Sequence, residues 1–224
     1  MLLPVKNVLN AQQLKTVRSL LDQACFSDGR LSAGTTARGV KNNEEIPQSA
    51  DVINQLNSIV MTSLYNHPVF QAAVLPHRLA GAFYARYNSG KFYGDHVDDP
   101  VMGPAGGRYR TDVSITVFLN DPDEYQGGEI VIRGTHTDHK IKLNAGDAIT
   151  YPSGSLHHVA EVTEGVRLVA VTWAQSLIRD VDKRELLFNL HQTREFLQKK
   201  YPDDKDVLKI DHSYVNLMRM WAEI

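Results

Sequence analysis

The run Asp112-Val-Ser-Ile-Thr-Val-Phe-Leu119 alternates, with Val113, Ile115, Val117 and Leu119 on one side. Successive side chains of an extended chain point to opposite faces, so a period of two reads as a β-strand with one face in a core. The same pattern repeats outward from it. Glu129-Ile-Val-Ile-Arg133 follows the turn pair Gly127-Gly128, and Lys140-Ile-Lys-Leu143 leads into the turn Asn144-Ala-Gly-Asp147. Ala148-Ile-Thr-Tyr151 ends at Pro152. His158-Val-Ala-Glu-Val162, a turn at Glu164-Gly165, and Arg167-Leu-Val-Ala-Val-Thr-Trp173 complete the series. Short strands with turn signals between them predict a β-sandwich or barrel. No helix-length gap separates successive strands, which argues against βαβ units.

Helical periodicity flanks this core. Asn10 with Gln13 resembles a capping box, and Leu14, Val17, Leu21 and Ala24 follow at helical spacing, so the first element is expected to be a helix. Ser27 to Pro47 reads as loop or irregular strand. A second helix is expected from near Ser49, with Ile53, Leu56, Val60 and Leu64 on one face, stopping before Pro68. The period changes from 3.6 to 2 at about Leu79. After Trp173, Leu186, Leu190 and Leu197 share one helical face, and Tyr214, Leu217, Met218 and Trp221 share another. The expected class is mainly β with flanking helices. The expected organisation is one compact unit: a support layer over 1–78, a core over 79–176 and a C-terminal helical extension over 177–224. Tyr214, Met218 and Trp221 are expected to pack on the barrel, the alternative being a homodimer face.

The chain has 224 residues, 42% apolar and 22% charged, which is a soluble globular composition. A net charge of −2 argues against a nucleic acid as the default partner. The apolar N-terminus is too short for a signal peptide, and no run approaches the ~18 apolar residues of a membrane span. A cytoplasmic location is the expectation. The single cysteine, Cys25, excludes an internal disulfide and is expected to be a packing residue.

The chemistry concentrates in Tyr87-Asn-Ser-Gly-Lys-Phe-Tyr93-Gly-Asp-His96-Val-Asp98, followed by His157-His158 and Arg167. In an extended chain residues i and i+2 project to one side, so His96 and Asp98 can aim at one point. Two imidazoles and a carboxylate, with other positions open, are the ligand set of non-haem Fe(II) oxygenases. A second His-x-Asp, His136-Thr-Asp138, lies in a polar connection where side chains normally meet water. Asp99 is a rival for Asp98, but points to the opposite side of an extended strand. Adjacent residues of a strand also diverge, so one of His157 and His158 reaches the metal, and His157 is favoured. Arg167 heads an apolar face shared with Val169, Val171 and Trp173. A charge there needs a partner, and a forked guanidinium matches a carboxylate. Tyr87 and Tyr93 are candidates to hydrogen-bond a keto acid or line the pocket. The Gly/Pro-rich run from Pro100 to Gly107 is expected to be a flexible lid, with Arg108 and Arg110 beside it as substrate contacts or surface charge.

Taken together, Arg86-Tyr87, Tyr93, His96-x-Asp98, Gly127-Gly128-Glu129, Ala145-Gly146-Asp147 with Pro152, His157 and Arg167 resemble the prolyl-4-hydroxylase-type Fe(II)/2-oxoglutarate dioxygenases. More narrowly, the length and the helical extension after Ile178-Arg-Asp180 resemble the bacterial PKHD-type hydroxylases. The resemblance covers essentially the whole chain. It implies a double-stranded β-helix (jelly-roll) core, Fe(II) on His96, Asp98 and His157, and 2-oxoglutarate on Arg167. It also implies hydroxylation of an unactivated C–H with O2, as 2-oxoglutarate is decarboxylated to succinate. L-ascorbate (vitamin C) and a link to iron homeostasis are associations of the group. An aspartate at position 98 argues against the halogenase variant. Two rivals stay open: a non-catalytic iron-binding or sensing jelly-roll protein, and a zinc or manganese enzyme recruiting Glu129. The substrate is unknown.

Overall fold

The computed structural model describes all 224 residues, and the side chains of all but residues 35 and 36. The chain opens with β1 (Leu3–Val5), then α1 (Ala11–Asp22), β2 (Ser27–Asp28), a short 3-10 turn (Gly29–Ser32), α2 (Thr35–Arg38), β3 (Lys41–Asn42) and β4 (Glu44–Glu45). Two helices follow, α3 (Val52–Tyr65) and α4 (Pro68–Val74). The strand-rich middle comprises β5 (Pro76–Leu79), β6 (Phe83–Asn88), β7 (Phe92–His96), β8 (Val101–Met102), β9 (Tyr109–Arg110), β10 (Val113–Phe118), β11 (Tyr125–Gly127), β12 (Ile130–Ile132), β13 (His139–Ile141), β14 (Ala148–Pro152), β15 (His157–Val159) and β16 (Val162–Ser176). Helices α5 (Val181–Lys200) and α6 (Lys205–Trp221) end the chain.

The larger sheet runs β1-β14-β10-β16-β6-β4-β2, with β5 and β11 also paired to β16. The smaller runs β13-β12-β15-β7-β3. All pairings are antiparallel. The alternation in β10 separates two environments. Val113, Ile115, Val117 and Leu119 enter a core shared with Ile53, Leu56, Val60 and Leu64 of α3. Ser114, Thr116 and Phe118 face the other way and are also buried. The polar members of the alternation therefore look into the molecule, toward the smaller sheet. Each fully buried aliphatic side chain of α3 contributes about 1.5–3 kcal/mol, which fastens the helical layer to the back of the larger sheet.

Several expectations need correction. The first element is a strand, β1, which pairs with β14 and buries Val5. The capping box at Asn10 is present and starts the second element. Helix α3 does stop before Pro68, at Tyr65, but Pro68 then opens a further helix, α4, at its first position, where its missing N–H is harmless. Cys25 lies beyond the end of α1 and is exposed. No turn interrupts the chain at Glu164-Gly165: β16 runs through it, with Gly165 opposite Tyr125. Gly165 has φ +76°, and a Cβ there would stand 2.3 Å from the Glu124 carbonyl oxygen. A glycine needed for close backbone approach thus reads from sequence as a turn. The run from Pro100 to Gly107 lies in the β8–β9 hairpin, anchored by Thr111, whose hydroxyl donates to the Asp99 carbonyl.

In α5, Leu186 points to solvent at 60% exposure, while Leu187 and Phe188 are buried. Leu187 meets Ile178 and Leu75, and Tyr214, Leu217, Met218 and Trp221 of α6 pack against these three. No helix is long and apolar enough to cross a membrane among the described residues.

Candidate metal centre and co-substrate cavity

Between the two sheets lies a cavity of about 820 Å³, counted with its open mouth. The smaller sheet contributes Tyr93, His96, Ile130, His157 and Val159; the larger contributes Ala85, Tyr87, Thr116, Tyr151 and Arg167.

His96 ends β7 and His157 begins β15, and the two are direct cross-strand partners. Asp98 lies two residues beyond the end of β7. One ligand atom from each of His96, Asp98 and His157 can be chosen so that all lie within 4.8 Å of one another. The Asp98 carboxylate is 3.9 Å from His96 Nε2 and 4.0 Å from His157 Nε2. Each ring is aimed by its other nitrogen. His96 Nδ1 is 2.8 Å from the Gly94 carbonyl, and His157 Nδ1 is 2.9 Å from the Ser155 carbonyl. A carbonyl only accepts, so Nδ1 carries the proton in both rings and Nε2 presents its lone pair to the centre. Asp98 accepts from the Ser114 hydroxyl at 2.5 Å, and Ser114 is tied to Ser153 at 2.8 Å.

Burial, and then the neighbouring His157, push the His96 imidazole well below its ordinary range, which favours the neutral, ligating form. Tyr93 stacks on His96 with ring centroids 3.7 Å apart, and Tyr151 meets His157 edge-on at 5.0 Å. Burial pushes the Tyr151 phenol well up. Tyr87 is pushed up to about 12, mainly by burial, with the Arg167 charge opposing. These phenols are therefore protonated donors at neutral pH.

Arg167 is 1% exposed, yet its Nε and Nη1 have no hydrogen-bond partner among the described residues. Its guanidinium carbon is 4.9 Å from the Tyr87 ring and 5.9 Å from that of Phe118. A buried, unpaired guanidinium is strongly unfavourable, and a carboxylate arriving two-pronged is the chemistry that satisfies it. Imidazole and carboxylate donors without thiolate suit Fe(II). The residues present thus fit both an iron ion and a keto acid.

The remaining candidates lie elsewhere. His158 turns away and pairs with Asp95 at 2.8 Å. Asp138 pairs with Arg133, and His136 is exposed. Arg110 is engaged by Asp112 and Glu223. Glu129 does not join the metal-competent group. Asp99 departs from its expectation: the chain is no longer a strand after His96, and Asp99 lines the rim of the same cavity. The sequence reading missed Ser114, Thr116 and Tyr151, the polar and aromatic members of alternating strands. It also missed a buried ion pair on the cavity wall, Lys41–Glu45 at 2.5 Å, with Lys41 donating to Ser32 at 2.8 Å.

Residues 82–175 match the model of the 2OG-Fe(II) oxygenase superfamily, and residues 182–223 match the PKHD-type hydroxylase C-terminal domain. A PKHD-type hydroxylase of Thioalkalivibrio sulfidiphilus (strain HL-EbGR7) is 52% identical over 224 residues, 100% of each chain. The chain belongs to the PKHD-type hydroxylases. Another member, YbiX of Escherichia coli O8 (strain IAI1), is 40% identical over 225 residues, again 100% of each chain.

Among solved structures, a Pseudomonas putida prolyl-4-hydroxylase aligns with TM-score 0.51 at 16% identity, covering 78% of this chain and 92% of that one. HygX from Streptomyces hygroscopicus, with nickel, 2-oxoglutarate and hygromycin B bound, aligns with TM-score 0.55 at 16% identity, covering 79% and 84%. The fold is the double-stranded β-helix of these oxygenases. A PKHD-type hydroxylase is an enzyme of the Fe(II)- and 2-oxoglutarate-dependent class, so iron and 2-oxoglutarate are its metal and co-substrate.

Proposed function

We propose that His96, Asp98 and His157 hold the iron, that Arg167 binds the distal carboxylate of 2-oxoglutarate, and that the enzyme hydroxylates an unactivated C–H of an organic substrate. The observation that carries the reading is the buried Arg167 guanidinium, unpartnered at Nε and Nη1. A non-catalytic iron-binding module has no use for such a clamp.

Bound Fe(II) with 2-oxoglutarate supplies the activation of O2 and the oxidative decarboxylation to succinate and CO2. The chain's own residues bind, orient and exclude. His96 and His157 donate through Nε2, their tautomers fixed by the Gly94 and Ser155 carbonyls. Ser114 holds Asp98 on one oxygen and leaves the other free. Tyr93 covers one face of His96, while Ile130, Val159 and Val171 form an apolar wall that keeps bulk water from the reacting centre. Tyr87 offers a protonated phenol beside Arg167. Residues 79–176 carry this machinery, with 1–78 as its support and 177–224 as a helical buttress.

The test is succinate formation from 2-oxoglutarate, with Fe(II), O2 and ascorbate to keep the metal reduced. Succinate is expected even without prime substrate, as slow uncoupled turnover, and is expected to vanish in Asp98→Ala. Equal succinate from the variant contradicts the assignment.

A further inference from the structure

We infer that the prime substrate carries a cation, a protonated amine or a guanidinium, that meets Asp99 at the rim of the cavity. The inference rests on the ligand and clamp assignment above.

The argument is one of charge. Lys41, Glu45, Asp98, Asp99 and Arg167 are the Lys, Arg, Asp and Glu residues that line the cavity among the described residues. Lys41 and Glu45 neutralise each other across 2.5 Å. In the loaded enzyme, the metal's two positive charges and the Arg167 guanidinium are balanced by Asp98 and the two carboxylates of 2-oxoglutarate. Asp99 is left over. No lysine, arginine or histidine pairs with it among the described residues, and Arg38 donates to the Ala33 carbonyl. A lone carboxylate on the wall of a half-enclosed, partly apolar site attracts cations and disfavours anions.

Two further features fit a cationic guest. Phe83 and Trp173 line the same cavity as an edge-to-face pair, centroids 5.6 Å apart, and aromatic faces attract ammonium and guanidinium groups. Ala33, Gly34, Ala37, Val97 and Met102 complete a small, apolar mouth that suits the methylene stem of such a group. Gly34 keeps the carboxylate where it is: a Cβ at that position would stand 2.9 Å from one Asp99 oxygen. Asp99 stays exposed at the mouth of the cavity, within reach of an incoming group, with the Gly34 backbone against its carboxylate.

The experiment uses full-length enzyme saturated anaerobically with Fe(II) and 2-oxoglutarate, as judged by the weak visible charge-transfer band. N-acetyl-lysine amide and N-acetyl-arginine amide are titrated as cationic probes. The side-chain-acetylated lysine derivative and N-acetyl-glutamate amide serve as neutral and anionic counterparts of similar size. The cationic probes are expected to perturb the band at concentrations at least about tenfold lower than the neutral one, equivalent to about 1.4 kcal/mol. The preference is expected to shrink as NaCl is raised, and to disappear in Asp99→Asn. Cationic probes no better than the neutral probe, a band that none of the probes moves, or a preference that survives Asp99→Asn overturns the inference. Failure of the wild-type band to form at all speaks against the iron and 2-oxoglutarate assignment instead, so the two failures are distinguishable.

Discussion

His96 and His157 are direct partners across the antiparallel β7–β15 pair, with ring centroids 4.2 Å apart. Two residues sixty-one positions apart in sequence are thereby brought side by side by one backbone register, and their rings are aimed by the Gly94 and Ser155 carbonyls. Burial first, and then the closeness of His157, disfavour a proton on His96.

That crowding predicts a pH dependence for the metal-free protein. His96 is held below its ordinary value in the folded state by burial first and by His157 second, whereas the unfolded chain titrates it near 6.5. The unfolded state therefore binds the extra proton more readily, and stability falls as pH falls below about 6.5. Thermal unfolding of the metal-free protein at stepped pH is expected to show Tm dropping in this window, with a shallower slope in His96→Ala. A flat wild-type profile between pH 7 and 5 would count against it.

Arg167→Ala is expected to raise the concentration of 2-oxoglutarate needed for half-saturation about a hundredfold, in line with the roughly 2–5 kcal/mol lost when one member of a buried charge pair is truncated. Arg167→Lys is expected to recover only part of this, because an ammonium lacks the two-pronged fork. Fe(II) binding measured without keto acid stays within a fewfold of wild type. A keto-acid affinity unchanged in both variants removes Arg167 from the site.

Ser114→Ala removes the hydrogen bond that orients Asp98 while leaving all three ligands in place. Loss of such an orienting partner typically weakens metal binding about 10–100-fold. Competition with a metal-indicator dye measures it. Equal affinity in the two proteins contradicts that orienting role.

Gly165→Ala forces a side chain onto a residue at φ +76° whose Cβ would meet the Glu124 carbonyl and Tyr125. Because β16 carries Arg167 two residues later, the strain reaches the co-substrate clamp. A destabilisation above about 1 kcal/mol is expected in urea titration. An unchanged midpoint means the β11–β16 contact yields freely.

Periodicity carried most of the architecture. The alternation of Val113 to Leu119 and the helical spacing of Ile53 to Leu64 each correspond to a buried face, because burial imposes those periods directly on sequence. Glycine was the weaker guide. Gly165 reads as a turn but serves close backbone approach within a continuous strand. The β1 strand was hidden because three residues are too few to show a period. Leu186 shares a helical face with Leu190 and Leu197 by spacing, yet it points to solvent, and its neighbours Leu187 and Phe188 are the residues that meet the core.

Within the site, the His-x-Asp spacing and the isolated Arg167 were legible as chemistry. Lys41, Glu45 and Asp99 were not. Lys41 and Glu45 sit in two-residue strands, too short to show a period, and reach the cavity because β3 pairs with β7 and β4 with β6; Asp99 lies past the end of β7, where no repeat relates sequence position to direction.

The central claim is that one metal sits on His96, Asp98 and His157 with room left for a chelating keto acid clamped by Arg167. Anaerobic titration of Fe(II) and 2-oxoglutarate into the wild-type protein, His96→Ala and Arg167→Ala tests it most directly. The account predicts the visible charge-transfer band in wild type, its loss in His96→Ala, and its recovery in Arg167→Ala only at much higher 2-oxoglutarate. A band of wild-type intensity and midpoint in His96→Ala would contradict it.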